Sequence, residues 1–264
     1  MNQSRKISKA TKFFWLMRRY ILNKLVPKFI WPKYILVDNV SFTLRDAPYS
    51  FGTKLLLRKG GYEASERRMI SNYVFEGDEV IEMGGSIGIL TKLISHKVGN
   101  SGRVISIEAS KKITDYSKVE IGKAKNVTIL TGFGFPVYEI NHRIRIEGFD
   151  ESSGSLGGMV SFSINADSIT GDKMNHSEVY DLKTIIDRYQ INPTLLVVDI
   201  EGSEIVLSQT PINFPNSVRI VLIELHPHLY KQNQEKTIVS LIEREGFTLI
   251  EVDSNVYLFK RKIG

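Results

Sequence analysis

One stretch, Val80-Ile81-Glu82-Met83-Gly84-Gly85-Ser86-Ile87-Gly88-Ile89-Leu90, constrains the fold more than any other. Asp78 to Ile81 passes from an acidic turn into β-branched residues, which suits a buried parallel strand. Small residues follow, and then Ile87, Leu90, Leu93, Ile94 and Val98 recur at helical spacing. Strand, glycine turn and helix form the unit that offers a helix N-terminus to a nucleotide-like ligand. Glycines let the backbone turn sharply and let another group come close where a Cβ would collide. An ordinary tight strand–helix turn uses the same residues, so the decision rests on what surrounds them.

The dinucleotide spacing G-x-G-x-x-G does not fit, because Ser86 and Ile89 stand where glycines would be needed. A shorter G-x-x-x-G loop, Gly84 to Gly88, does fit, with an acid, Glu82, two residues before it. A second strand, Arg103 to Ile107, ends at Glu108, where a carboxylate can accept both hydroxyls of a ribose. Together these features resemble the S-adenosylmethionine site of the Rossmann-like methyltransferases.

Charge divides the chain of 264 residues more sharply than hydropathy does. Residues 1–37 hold nine basic residues (Arg5, Lys6, Lys9, Lys12, Arg18, Arg19, Lys24, Lys28 and Lys33) and no acid. The formal charge of +6 therefore belongs to this segment, because the remainder has 26 basic against 29 acidic residues. The body is not a basic nucleic-acid surface. Cysteine is absent, which excludes disulfides and thiolate metal sites. Within the basic segment Phe13, Phe14, Leu16, Met17, Tyr20, Ile21 and Leu25 fall on one helical face, and Pro27 stops the helix. Its apolar run is far too short to span a bilayer, and Arg18 and Arg19 interrupt any signal-peptide core. Trp15, Tyr20 and Trp31 among the bases suit an anionic membrane interface, while packing on its own domain or on a second subunit is the alternative. The expected location is cytoplasmic, with residues 1–33 able to hold the protein peripherally at the inner face of a membrane.

Beyond this segment the pattern alternates. Tyr34 to Leu57 reads as two short strands about a turn at Asp38-Asn39, followed by polar turns. Tyr62 to Phe75 reads as a helix with Glu63, Glu66, Arg67 and Arg68 exposed and Met69, Ile70 and Val74 inward. A lysine-rich helix follows Glu108, then a third strand over Asn126 to Leu130 with Gly132 past its end. Residues 133–180 read as a substrate-side insertion, with antiparallel strands at Tyr138 to Ile146 and Met159 to Ile164 about a Ser/Gly-rich turn. Asp181 to Tyr189 is a short helix, and Leu195 to Asp199 is another buried strand, followed by a helix to about Ser208. Asn192-Pro193-Thr194 precedes that strand and lacks a second proline, so it reads as a turn. A fifth strand ends in Glu224-Leu225-His226-Pro227-His228, and a helix closed by Gly246 leads into a terminal hairpin. The fold class is α/β. The expected sheet is the Rossmann-like, seven-stranded, mostly parallel one of methyltransferases with a C-terminal antiparallel hairpin.

Leu196-Val197-Val198-Asp199-Ile200-Glu201-Gly202-Ser203-Glu204 resembles the signature of the FkbM-type methyltransferases, an apolar strand followed by D-x-E-G-x-E. Gly61-Tyr62-Glu63, Val179-Tyr180-Asp181-Leu182 and Ile223-Glu224-Leu225-His226-Pro227 resemble further elements of that family. The resemblance covers roughly Tyr34 to Lys262, so residues 34–264 are expected to form the methyltransferase domain. The first loop departs from the family's D-x-G-A-N-x-G, with Glu82 for the acid and Ser86 for the Asn.

The resemblance implies O-methylation of a hydroxyl by S-adenosylmethionine, in a sugar of a glycan or glycolipid. An RNA or protein methyltransferase, or a non-catalytic cofactor-binding subunit, is the alternative. It implies cofactor contacts at Glu82, Gly84, Gly85, Ser86, Gly88, Glu108, Ala109, Gly132 and Asp199, and an acceptor side built from Asp199, Glu201, Glu224 and His226. His226 is the candidate general base, since an imidazole titrates near neutral pH, with Glu224 or Asp199 to orient it. A histidine that merely caps the strand is the other reading. Asp199, Glu201, His226 and His228 have donors suited to a metal, yet nothing in their spacing requires one, so no metal is expected.

Overall fold

The computed structural model describes residues 28–47, 49–140, 145–147, 163–165, 178–230 and 233–262. The chain divides after Tyr62 into two compact units. In the first, β1 (Tyr34–Val37) and β2 (Val40–Thr43) form an antiparallel hairpin. Asp38 and Asn39 make its two-residue turn with φ of 47° and 67°, the left-handed pair that matches strand twist. Val37, Val40 and Phe42 are buried, while Tyr34 and Leu36 alternate outward and are exposed. The polar turns expected next are replaced in part by a helix, α1 (Phe51–Arg58). Ser50 caps it, its hydroxyl accepting from the Thr53 amide at 3.1 Å. Leu57 is buried, so a helical face lay inside what reads as a turn region.

The second unit begins with α2 (Ala64–Tyr73) and β3 (Glu79–Met83). Then follow α3 (Ile89–Val98), β4 (Arg103–Glu108), α4 (Lys111–Ile121) and β5 (Val127–Gly134). Two short strands, β6 (Arg145–Glu147) and β7 (Ser163–Asn165), pair antiparallel within the expected insertion. The chain continues through β8 (Glu178–Tyr180), α5 (Leu182–Tyr189), β9 (Leu195–Val198) and a 3-10 helix at Ser203–Ser208. It closes with β10 (Ile220–Glu224), α6 (Gln234–Arg244), β11 (Phe247–Asp253) and β12 (Val256–Arg261).

These strands make one sheet in the order β11-β12-β10-β9-β3-β4-β5-β8. All neighbours are parallel except β10 with β12 and β12 with β11. The fold is therefore Rossmann-like, with the expected C-terminal hairpin, and eight strands replace the seven expected. The extra strand is β8, which pairs with the far end of β5 because β5 runs on to Gly134 rather than stopping at Leu130. Gly132 thus lies inside a strand, and a Cβ there would sit 2.4 Å from the Glu178 carbonyl oxygen.

Strand alternation builds two cores. Ile81, Met83, Ile105, Ile107, Leu196, Val198, Val221 and Ile223 face α5 and α6. Val80, Val104, Leu195, Val197, Ile220 and Leu222 face the opposite way, with Met69 and Ile70 of α2 and Leu90 and Ile94 of α3. Both faces are covered, which is why these strands read as unbroken apolar runs. α2 departs from expectation in one respect: Glu66 and Arg67 are buried rather than exposed. The amphipathic segment at 13–25 and the Ser/Gly-rich turn at 151–158 lie outside the described residues. No helix among the described residues is long and apolar enough to cross a membrane.

Candidate active site

Four adjacent parallel strands, β4, β3, β9 and β10, release their C-terminal ends at one edge of the sheet, the side where open α/β sheets take ligands. Glu108, Glu82, Asp199 and Glu224 stand in or just after those ends. The glycine loop after β3 is held from both sides. Gly84 and Gly85 donate their amides to the Ile107 carbonyl at 2.8 and 3.0 Å. The Ser86 amide donates to Glu108 Oε2 at 3.0 Å, and the Ser110 amide to Oε1 at 2.8 Å. Ser86 itself sits at φ 45°.

The small residues of the loop have a cause that the sequence does not display. A Cβ on Gly84 would lie 1.7 Å from the Asp199 carbonyl oxygen, and one on Gly85 would lie 2.0 Å from Ser106 Oγ. What approaches these glycines is the protein's own backbone just after β9 and a β4 side chain. Asp199 in turn donates its amide to the Met83 carbonyl at 2.8 Å, so the loop and the D-x-E-G-x-E segment are locked together. Glu82, also buried, organises the loop from below: Thr91 Oγ1 donates to its Oε2 at 2.5 Å. Burial raises its pKa, partly offset by hydrogen bonds from Ser106 and Thr91. Glu108 is likewise raised by burial, against three backbone donors.

Across the loop lies a second carboxyl group cluster centred on His226, which is 4% exposed. Its Nε2 faces Glu201 Oε2 at 3.4 Å, Asp199 Oδ1 at 3.7 Å and Glu224 Oε1 at 4.0 Å. Its Nδ1 meets Glu204 Oε1 at 3.2 Å. Glu204 is fully buried and accepts amides from Ile200 at 3.1 Å and Gly202 at 2.9 Å, and the hydroxyl of Tyr230. The Tyr230 oxygen accepts the His226 amide at 3.0 Å. Burial raises Asp199 well above an ordinary carboxyl, reinforced by Glu224, Glu201, Glu204 and Glu63. Glu201 is raised chiefly by burial, and Glu224 is pushed up to about 7 by burial and by Glu66. For His226, burial pulls the pKa down, but Glu204, Glu201 and Glu224 outweigh it and the net shift is upward.

The structure thus brings together all four acceptor-side residues read from the sequence and sets them beside the glycine loop. Ala109 follows Glu108 and is half-buried, and Gly132 serves strand packing. The His226 ring is hydrogen-bonded to Glu204 at Nδ1, while Asp199 and Glu224 lie 3.7 and 4.0 Å from Nε2. Glu204, Tyr230 and Glu66 were not assigned roles from sequence. The third acid of D-x-E-G-x-E was the available signal for Glu204, whereas nothing local marks Glu66, which meets Glu224 from another element.

Comparison with known proteins adds one family and several folds. The family Protein-L-isoaspartate(D-aspartate) O-methyltransferase (PCMT) matches residues 59–141, less than a third of the chain, including the glycine loop and Glu108. Among solved structures, the Methanococcus jannaschii fibrillarin pre-rRNA processing protein is 13% identical over 90% of this chain and 86% of that one, with a TM-score of 0.44. A TehB-like SAM-dependent methyltransferase from Corynebacterium glutamicum is 11% identical over 80% and 98%, TM-score 0.40. Aeropyrum pernix fibrillarin in complex with natively bound S-adenosyl-L-methionine is 11% identical over 70% of this chain and 66% of its own, TM-score 0.41. At such values the likeness assigns neither activity nor substrate to this chain.

Proposed function

We propose that this protein is an S-adenosylmethionine-dependent O-methyltransferase of the FkbM type, acting on a sugar hydroxyl of a glycan or glycolipid. One observation carries the reading. The glycine loop and its carboxylate, Glu108, adjoin a buried imidazole ringed by acids, across strand ends that are hydrogen-bonded neighbours. The residues fit the cofactor. Three backbone donors, the amides of Ser86, Ala109 and Ser110, occupy part of the acceptor capacity of the Glu108 carboxylate and leave room on it for a ribose hydroxyl. Glu82 Oε1 and Asp199 Oδ1 are solvent-excluded oxygens without a hydrogen-bond partner among the described residues.

When bound, S-adenosylmethionine supplies an electrophilic methyl group on its sulfonium. The chain's task is then position and proton transfer. Glu108 holds the ribose and Ser86 steadies Glu108. His226 Nε2 takes the acceptor's proton, and Glu201 and Asp199 hold the acceptor hydroxyl. The acids gathered around His226 disfavour a polyanionic acceptor such as RNA. Residues 1–33, with their bases and aromatics, hold the enzyme at an anionic membrane surface, where glycolipid acceptors lie.

A second reading has its own observation. Asp199, Glu224 and His226 each offer one ligand atom, all within 4.8 Å of one another, a spacing that a divalent cation can bridge. Both readings are tested by incubating the full chain with methyl-labelled S-adenosylmethionine and neutral oligosaccharide, RNA or protein acceptors, with and without a chelator. Label on saccharide hydroxyls, insensitive to chelation, is expected. Label only on RNA or protein overturns the acceptor assignment, and binding without transfer to any of the three points to a non-catalytic subunit. Loss on chelation, restored by a divalent ion, replaces the base by a metal.

A further inference from the structure

Glu204 is the most constrained carboxyl group of the site, and it does not face the acceptor. It is 0% exposed, and four hydrogen-bonding groups surround it: the Ile200 and Gly202 amides, the Tyr230 hydroxyl and His226 Nδ1. Two of these can only donate. Tyr230 is fixed as a third donor, because its oxygen already accepts the His226 amide at 3.0 Å and its own proton is left for Glu204. Three such donors fill three of the four acceptor positions on the two Glu204 oxygens and leave one, on Oε1, for a further donor. The remaining partner, Nδ1 at 3.2 Å, must then bring a proton rather than a lone pair.

We infer that Glu204 and Tyr230 are positioning residues that lock His226 in the Nδ1–H tautomer and so direct a free Nε2 lone pair at the acceptor. Tyr230 is the clamp in this arrangement. It ties the backbone of His226 and the carboxylate of Glu204 to one oxygen, so the ring plane and the tautomer are set by the same side chain. The local chain explains why it can: the 3-10 turn Pro227–Leu229 folds back within four residues and returns Tyr230 beneath His226. Asp199, Glu201 and Glu224 occupy the other side of the ring, with Glu66 behind Glu224, Glu63 near Asp199, and the exposed His228 ring 5.9 Å from His226. Glu201 Oε2 and Asp199 Oδ1, which face Nε2, are without a hydrogen-bond partner among the described residues, whereas Nδ1 is hydrogen-bonded to Glu204 at 3.2 Å, so Glu204 sets the tautomer.

The inference rests on the methyl-transfer reading only for the use made of the lone pair, and its test needs neither cofactor nor acceptor. Nitrogen-15 NMR on the full chain, with His226 assigned through a His226→Asn variant, reports tautomer and titration directly. Above its pKa the wild-type ring is expected to carry its proton on Nδ1. In Glu204→Gln the amide keeps its oxygen on Gly202 and Tyr230 and turns its NH2 to Nδ1, giving up the Ile200 amide, so the neutral ring is expected to carry its proton on Nε2. Loss of the negative charge should also lower the His226 pKa by about one to three units.

Tyr230→Phe is expected to move it the other way. With one donor fewer, Glu204 is a stronger acceptor for Nδ1–H, and the pKa rises above the wild-type value. Opposite shifts from two neighbouring variants are not the signature of general loosening. A wild-type Nε2–H tautomer overturns the inference. So do an unchanged tautomer in Glu204→Gln and shifts of the same sign in both variants. Should Glu204→Gln fail to fold, Tyr230→Phe decides alone: an upward shift supports the clamp, and a downward shift or none overturns it.

Discussion

In the proposed function Glu108 holds the ribose and His226 takes the proton, and each role makes a prediction at the scale of a single side chain. Glu108→Ala removes the ribose acceptor and should weaken S-adenosylmethionine binding by about 1–3 kcal/mol, the range for charge-assisted hydrogen bonds. Tight binding by that variant in calorimetry would place the cofactor elsewhere. His226→Ala should lower turnover by about 100- to 10,000-fold and leave cofactor affinity nearly unchanged, which stopped assays of methyl transfer can check. In the wild type, activity should rise with pH through an apparent pKa above the ordinary histidine value, since the net shift of His226 is upward. Stability should run the opposite way. Glu66, Asp199, Glu201 and Glu224 are all raised in the fold, so each favours the protonated state and opposes folding once ionised. For Glu224 the contribution is present below 4.5 and is lost as pH rises toward about 7, and the His226 contribution is lost as pH rises through its own raised value. The melting temperature is therefore expected to fall between pH 5 and pH 8, about the span of these titrations, and Glu66→Gln should flatten that fall by removing one of the four carboxyl groups, the one that meets Glu224. A melting temperature that rises over this range would contradict the burial assigned to the cluster. The positions of the acids at strand ends were legible in the sequence because a strand end is one residue wide. Glu204 and Tyr230 were not, because their roles depend on a 3-10 turn bringing them under one imidazole.

The strands carried more information than their connections did. Apolar runs with both faces buried gave the strands of the central sheet, and the C-terminal hairpin followed from its turn residues. α1 was hidden because Leu55-Leu56-Leu57 shows no alternation of either period and its signal is a single Ser50 cap. β8 was hidden because three residues show no pattern at all, and its place is set by Gly132, where the absence of a Cβ admits the Glu178 carbonyl. Gly132→Ala should accordingly loosen β8 from β5, seen as faster amide exchange over Glu178–Tyr180, with little change at β3 or β9. At the opposite end of the sheet Asp78 holds three strands in register. Its carboxylate accepts from Arg219 at 2.5 Å, from the Thr194 hydroxyl at 2.8 Å and from the Phe75 amide at 2.7 Å, next to the starts of β3, β9 and β10. Asp78→Ala should cost about 2–3 kcal/mol in denaturant unfolding, in the range for a hydrogen-bonded charge. It should leave cofactor affinity intact, since it lies at the strand ends remote from the loop. Unchanged stability would show that the register is set by side-chain packing alone.

Across the whole chain, the basic segment and the acidic site are two electrostatic worlds in one sequence. Their separation is visible from charge counting alone, because opposite signs do not average out when they are clustered. Arg18→Glu with Arg19→Glu in the full chain should reduce binding to anionic vesicles by tenfold or more, at about 1 kcal/mol per basic residue near the surface. Methyl transfer to a water-soluble acceptor should be unaffected. Equal vesicle binding would return the segment to packing against protein. The central claim, however, concerns the other pole: the loop from Glu82 to Gly88, clasped by Glu108, is a S-adenosylmethionine site. Calorimetric titration of the full chain with S-adenosylmethionine, repeated for Glu108→Ala, tests it most directly. The account predicts one saturable site per chain in the wild type and a dissociation constant raised about fivefold or more in the variant, equivalent to at least about 1 kcal/mol. Absence of binding in the folded wild type, or binding indifferent to Glu108, would contradict it.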